Sequence, residues 1–428
     1  MKVLHFSASI TGGAGIAAVR YHQLCQAMGY DSILYYGTGD ISHDKSIVHV
    51  GAASSQHSKQ NIKQFIKSHL HKHTAGRSLL NWYHAQKSSH PTTPQNEYCF
   101  YNFSECESNG LRPDLVNNID LQNVDVIFVH WLGGFLNTYD IKRLYERTHA
   151  RIVFSMMDME PITGGCHYFW HCKGYLDNCF DCPALDYSMR SLAHRQLQAR
   201  AQNIEYMHPD IFSSSLYDLK AAKNGIVDFA HYWQCYYPID ETIFLPSGPH
   251  SGAKYIFSNS NEITNSRKGF WLVMQVLMIL DRELDEDVFF LCLDDSPFHA
   301  YKFAHIKFEK FPFCKNVNDL AKIYQKADLF LCSSVEDAAP MMLAEALLCG
   351  VPTVAFDCAT AKQFIHDGRE GYVVPRYDVR AMAAKALDIL RGTNDIDTPE
   401  TRHNKMAKLY GIDAVIRQLK NIVENTKA

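Results

Sequence analysis

The feature that most limits what this chain can fold into is a repeated alternation of short apolar runs with helix-length amphipathic stretches. That rhythm belongs to βαβ units built around parallel sheets. It comes in two series. Val3–Ser7, Ser32–Tyr36, Val124–His130, Arg151–Ser155 and Ile211–Ser215 read as strands of a first sheet. Lys254–Ser258, Val288–Leu293, Ile306–Phe308, Leu329–Cys332, Thr353–Phe356 and Gly371–Val374 read as strands of a second. Between the series, Tyr236-Tyr237-Pro238-Ile239-Asp240 and Pro246-Ser247-Gly248-Pro249 have the proline and glycine content of a linker. At 428 residues the chain also exceeds what one hydrophobic core usually fills. We therefore expect an α/β protein of two Rossmann-like, doubly wound domains, 1–245 and 246–408. A closing segment, 409–428, carries a helix over Ala414–Val423 that crosses back onto the first domain.

Composition narrows the function classes. A formal charge of −4 gives no electrostatic reason to bind nucleic acid. The start, Met1-Lys2-Val3-Leu4-His5-Phe6, is too short an apolar stretch for a signal peptide, and no run approaches the length of a bilayer span. The expected location is the cytoplasm, with any membrane contact peripheral. One segment bears on that contact. From Lys45 to Asn96 there is no acidic residue, while Lys59, Lys63, Lys67, Lys72, Arg77 and Lys87 recur among Phe65, Ile66, Leu70, Leu79, Leu80, Trp82 and Tyr83. A helix with one basic and one apolar face, within 59–87, suits an anionic membrane at the inner face of the cell membrane. It equally suits a solvated helix packed on the sheet.

The clearest chemical signal lies in Ser333–Asp357. A buried strand ends at Ser333-Ser334, and Val335–Pro340 forms a loop. A helix then runs over Met341–Cys349, and Gly350-Val351-Pro352 leads to the next strand. Proline before the helix and glycine after it bound it as expected. Its start lies at the carboxyl end of a parallel strand, where doubly wound sheets bind ligands. The free N–H groups at Met341 and Met342, with the helix dipole, favour a phosphate there. Asp337 on the loop can accept hydrogen bonds from sugar hydroxyls, and Glu345 on the helix can hold both hydroxyls of a ribose. The plainer reading makes Asp337 a helix-dipole partner and Glu345 a surface acid.

Glu336-Asp337-(x7)-Glu345-Ala346-Leu347-Leu348-Cys349-Gly350-Val351-Pro352-Thr353-Val354-Ala355-Phe356 resembles the nucleotide-sugar signature of family 4 retaining glycosyltransferases, of the glycosyltransferase group 1 type and the two-domain GT-B fold. The family pattern has two acids with seven residues between them, and Asp337 stands where a longer Glu is usual. Three further segments support the resemblance. Arg267-Lys268-Gly269-Phe270 is similar to the Lys-Gly segment whose lysine contacts the donor diphosphate. Leu320-(x3)-Tyr324-(x2)-Ala327-Asp328 is similar to the run before the signature, and Pro238-Ile239-Asp240-(x3)-Phe244-(x)-Pro246 to the interdomain linker. The resemblance covers most of the chain and is weakest between residues 45 and 120. It implies two domains facing each other across a cleft, a nucleotide-diphosphate sugar as donor, and retention of configuration. It also implies a glycan or lipid-linked glycan as acceptor, in surface polysaccharide or lipopolysaccharide synthesis.

In the first domain, Gly12-Gly13-Ala14-Gly15-Ile16-Ala17-Ala18 follows a strand and opens a helix. Gly13-x-Gly15-x-x-Ala18 fits the dinucleotide fingerprint, so an NAD-dependent enzyme is a rival. That rival needs an acid at the end of the second strand, and Asp40, beyond Gly37-Thr38-Gly39, is poorly placed. Under the resemblance, Gly12, Gly13 and Gly15 instead let the backbone approach donor phosphate or acceptor. His130 ends a buried strand and would contact the transferred sugar or the acceptor; a satisfied structural histidine is the alternative. Phe154-Ser155-Met156-Met157-Asp158-Met159-Glu160-Pro161 departs from the family, since Met157 stands at a position where relatives commonly have histidine. Asp158 remains as a group to orient an acceptor hydroxyl. A non-catalytic sugar-nucleotide-binding protein is therefore a second rival, and an epimerase on the same fold a third.

Cys166, Cys172, Cys179 and Cys182 fall within an insert, 163–186. Four cysteines so spaced in a cytosolic chain read as a structural zinc site, with His167 and His171 as substitute ligands. Disulfides or free thiols are the alternative. Four thiolates leave no open coordination position, so no catalytic metal is expected. Some relatives carry a similar Gly-Gly-Cys-His-Tyr…Cys…Cys-x-x-Cys-Pro insert.

Overall fold

A computed structural model describes residues 1–51, 98, 100–102, 104–248, 252–259, 265–314 and 316–424. The basic stretch 59–87 lies outside the described residues. The chain divides into two compact units, the first Met1–Phe212 with Leu219–Trp233, the second Ser213–Asp218 with Gln234–Ala428.

The first unit is built on a sheet of seven strands: β1 (Lys2–Ser9), β2 (Asp31–Thr38), β3 (Ile47–His49), β4 (Val124–Val129), β5 (Arg151–Ser155), β6 (Asp210–Ser213) and β7 (Tyr232–Gln234). Their order is β3-β2-β1-β4-β5-β6-β7, and β1 to β6 pair in parallel. Strands buried on both faces need unbroken apolar runs, as in Val126–Val129. The second sheet holds β8 (Lys254–Ser258), β9 (Val288–Cys292), β10 (Ile306–Lys310), β11 (Leu329–Cys332), β12 (Thr353–Phe356) and β13 (Gly371–Val374), in the order β10-β9-β8-β11-β12-β13, all parallel. Both sheets thus reverse direction of growth at one place, between β1 and β4 and between β8 and β11. At such switch points the loops on the two sides diverge and leave a crevice for a ligand.

Two features of this division bear on the expected boundaries. The division falls at 233/234 rather than near 245, so the Pro238 linker belongs to the second unit. The reason lies in its contacts: the Tyr236 N–H donates to Gln418 (2.8 Å) and the Ile239 N–H to the Tyr410 carbonyl (3.1 Å). The closing helix, Ile412–Glu424, is capped from the same segment, Glu241 accepting from the Ile412 N–H at 2.8 Å, and it clusters with the second unit. The short strands β3 and β7 were not anticipated, because three-residue edge strands carry too little pattern to be seen.

Candidate functional site

The second unit's switch point is organised by Asn259, which directly follows β8. Its Oδ1 accepts the Ser333 N–H just beyond β11 (3.0 Å), and its Nδ2 donates to Ser334 Oγ (2.7 Å). Ser334 Oγ in turn donates to Asp337 Oδ2 at 3.1 Å. The short Ser266–Lys268 turn is tied to the same loop: Val335 N–H donates to the Arg267 carbonyl (2.8 Å) and Ser333 Oγ to the Lys268 carbonyl (2.7 Å). Gly269 has φ +71°, and a β-carbon there would lie 2.2 Å from the Ser333 carbonyl oxygen, so the turn requires glycine. This packing sets Lys268 Nζ 2.5 Å from Asp337 Oδ2 and Arg267 Nη1 4.0 Å from Asp337 Oδ1. Burial alone would raise the Asp337 carboxyl, but the two cations hold it below its ordinary range, and it is ionised.

Glu336 and Glu345 complete the acidic frame. Arg376 Nη1 lies 3.4 Å from Glu336 Oε2, and its Nε donates to the Asp357 carbonyl at 3.3 Å. Glu345, buried on the Met341–Leu348 helix, accepts a hydrogen bond from the Tyr324 hydroxyl (3.0 Å). The expectation of a surface acid at Glu345 fails, and the Leu320-(x3)-Tyr324 run acquires a purpose: Tyr324 orients Glu345. Met341 and Met342 open the helix after Pro340, and no acidic side chain occupies its first turn. Asp337, Glu345, Arg267, Lys268, Met341 and Met342 thus belong to one unit around one switch point.

The first unit's switch point has a different character. His130, following β4, donates its backbone N–H to the Phe6 carbonyl (2.9 Å), and its ring Nε2 lies 3.0 Å from His5 Nδ1. The two rings are stacked, and His5 also stacks on Phe128. Burial lowers His5 far below the ordinary histidine range and brings His130 down to about 3 and the nearby His22 to about 4, so all three are neutral. His130 Nδ1 has no partner among the described residues. The helix Gly12–Ala27 follows β1, with no acid in its first turn. Gly15 is demanded by packing, since a β-carbon there would lie 2.6 Å from the Ile10 carbonyl carbon. Gly12 has φ +70° with open space around it. Sequence reasoning overlooked His5, whose place in mid-strand reads as core.

Asp158 lies past β5, and its carboxylate pairs with His167 Nδ1, a pairing that the zinc reading of His167 did not foresee. The zinc reading itself finds no support. Among the described residues, no group of three or more His, Cys, Asp or Glu is arranged to hold a metal ion. The Cys166 thiol instead hydrogen-bonds to Cys182, and burial keeps Cys179 protonated, raising it to about 11. Cys166, Cys179 and Cys182 are buried and Cys172 is half-buried, and the four thiols act on one another electrostatically. Where zinc was expected, the insert is fixed by a buried ion triad: Arg200 Nη2 contacts Glu105 Oε2 (3.1 Å) and Glu160 Oε1 (2.8 Å).

Residues 258–392 match the family model described as glycosyl transferases group 1. The matched segment contains Asn259, Arg267, Lys268, Tyr324, Asp337, Glu345 and Arg376. Two relatives align over shorter stretches. An uncharacterized glycosyltransferase of Haemophilus influenzae is 27% identical over 118 residues, 26% of this chain and 32% of that protein. A putative colanic acid biosynthesis glycosyltransferase, WcaL, of Salmonella typhimurium is 26% identical over 121 residues, 26% of this chain and 30% of that protein. The chain thus spans about a third of the length of these relatives. Solved structures match over nearly the whole chain at low identity. Sucrose-phosphate synthase from Thermosynechococcus elongatus has a TM-score of 0.64 at 12% identity, covering 99% of this chain and 98% of that one. Anabaena HepE in complex with UDP-glucose has a TM-score of 0.58 at 12% identity, covering 99% of each chain. The fold is GT-B.

No described helix is long and apolar enough to cross a membrane.

Proposed function

We propose that this protein is a retaining glycosyltransferase that moves a sugar from a nucleotide-diphosphate sugar to a glycan or lipid-linked glycan, in surface polysaccharide synthesis. The observation that carries this reading is the Lys268–Asp337 pair beside Arg267, held at the second unit's switch point by Asn259, Ser333 and Ser334. The Salmonella relative is named for polysaccharide synthesis, and the Anabaena structure holds UDP-glucose. Both support the same direction.

In this reading Glu345, oriented by Tyr324, holds the ribose, and Asp337 holds sugar hydroxyls. Lys268, Arg267 and the N–H groups at Met341 and Met342 receive the diphosphate. As the bond from the sugar's anomeric carbon to the diphosphate oxygen breaks, its electron pair stays on the diphosphate. Fixed cations then stabilise charge that is larger in the transition state than in the ground state. The acceptor oxygen bonds to the anomeric carbon on the face the diphosphate leaves, and its proton passes out with the leaving group. His130, Asp158 and the Gly12, Gly13 and Gly15 loop serve the acceptor side. The domain scheme, with 1–245 acceptor-side and 246–408 donor-side, is kept as a division of labour with its boundary moved. The reaction is placed on the cytoplasmic side of a membrane.

The test has two steps. UDP-, GDP- and ADP-glucose are screened by thermal shift, a native-state ligand raising the melting temperature. Glu345→Ala is then assayed for nucleotide release. Loss of two hydrogen bonds to a charged group predicts a drop of about 100-fold or more, with circular dichroism unchanged. Undiminished turnover by the variant would remove the assignment. Met157 favours one other reading, a protein that binds the donor without turnover; calorimetric binding with no nucleotide release would establish it.

A further inference from the structure

The segment Ser213–Asp218 clusters with the second unit although its neighbours on both sides belong to the first. Its attachment is specific. Gln363, on the short Ala361–Phe364 helix after β12, donates from Nε2 to the Ser214 carbonyl (3.0 Å) and accepts the Leu216 N–H on Oε1 (3.1 Å). The Gln363 N–H is in turn held by the Thr360 carbonyl at 2.9 Å. Three pieces of chain therefore meet beside the donor acids: 213–218, 336–337 and 357–363, with Arg376 joining the last two.

Where they meet, polar groups are left without partners. Ser214 Oγ, Asp218 Oδ1 and Thr360 Oγ1 are buried and make no hydrogen bond among the described residues; Ser214 and Asp218 are 0% exposed and Thr360 1%. Each such oxygen costs free energy unless something fills its hydrogen-bonding capacity. Asp218 is the most telling. Its Oδ2 accepts from Ser213 Oγ (3.2 Å), and its N–H donates to Ser215 Oγ (3.2 Å), which caps the Leu216–Asn224 helix. Capping accounts for the backbone and one carboxyl oxygen and leaves Oδ1 unexplained. Among the described residues no ion pair reaches this carboxyl. Burial raises its proton affinity far above the ordinary range, the Ser215 and Ser213 hydroxyls offset part of that, and the charges of Asp337 and Glu336 raise it further. That direction favours the protonated acid, which can both donate and accept.

We propose that Ser214, Asp218 and Thr360 form a subsite for the hydroxyls of the donor's sugar, so that residues 213–218 read the sugar rather than the nucleotide. Neutral groups that donate and accept suit a hydroxyl, which does both. A nucleoside diphosphate needs cations, and those stand at Lys268 and Arg267. This subsite rests on the nucleotide-sugar reading above and extends it from the diphosphate to the sugar.

The experiment is calorimetry of the full chain with UDP-glucose, GDP-glucose and ADP-glucose, and with the matching free diphosphate of whichever binds. Asp218→Ala is expected to weaken the nucleotide sugar about tenfold, the value of one hydrogen bond, while the free diphosphate binds as to wild type. Asp218→Asn keeps shape and hydrogen-bonding capacity and should stay within about twofold of wild type. Ser214→Ala and Thr360→Val, which leave the helix cap intact, should each weaken the sugar nucleotide only. A capping role alone would lower the melting temperature of Asp218→Ala and leave the ratio of the two affinities unchanged. That result, or equal loss for sugar nucleotide and diphosphate, or unaltered affinity in all four variants, overturns the subsite while the donor reading stands. Wild type that binds none of the three nucleotide sugars overturns both.

Discussion

The two units share a strand order and a switch point, yet they furnish it with opposite electrostatics. At the first, His5, His130 and His22 are buried and neutral, with His5 and His130 stacked on Phe128, His130 also on Tyr21, and His22 edge-on to His5. At the second, Asp337 is ionised, and Asp337 and Glu336 are each matched to a cation, with Glu345 beside them. One backbone plan thus supports two chemistries, because the residues just beyond the strand ends are free to differ while the sheets beneath need only apolar runs. Charge does occur inside the first unit, but away from its switch point: the Glu105–Arg200–Glu160 triad anchors the insert.

This contrast can be broken most sharply by removing one cation from each unit. Arg200→Met leaves two buried carboxylates without their cation and should cost about 3–5 kcal/mol of stability, read by urea unfolding, with donor affinity unchanged in the protein that remains folded. Lys268→Met should do the reverse. Lys268 is partly exposed and Arg267 remains near Asp337, so stability falls less, while donor affinity falls about tenfold or more. Equal stability losses would mean that the second-unit cations are structural.

The smaller effect concerns pH. Native His5 and His130 refuse protons that the unfolded chain accepts below about 6.5. Stability therefore decreases as pH drops from about 6.5 towards 4, by up to about 1.4 kcal/mol per unit for each histidine. Denaturation midpoints at pH 7, 6 and 5 would show it, and His5→Phe should flatten the slope. A slope equal in variant and wild type would mean that His5 takes no part.

Much of the fold was legible before any coordinates. Strand positions were, because a strand buried on both faces must be an apolar run of limited length; all eleven anticipated strands are present, with ends moved by a few residues. The helix at Met341 was legible from Pro340 and Gly350, residues whose backbone limits mark a start and a stop. Less of the site could be seen. Asp337 and Lys268 were found through spacing and resemblance, but the ion pair that joins them spans 69 positions and depends on strand register. The zinc reading rested on spacing, which reports how far apart cysteines stand along the chain, and among the described residues no metal-holding group is found.

By itself, then, the sequence determined two parallel α/β units and the loop after β11 as a ligand site, since alternation, glycine and proline act on the backbone within a few residues. Only the tertiary structure decided that His5 meets His130 across 125 positions, that Tyr324 serves Glu345, and that Ser213–Asp218 clusters with the second unit. Each of these depends on which strand ends lie side by side and on which buried polar atoms are left to be satisfied there, and no local pattern encodes either.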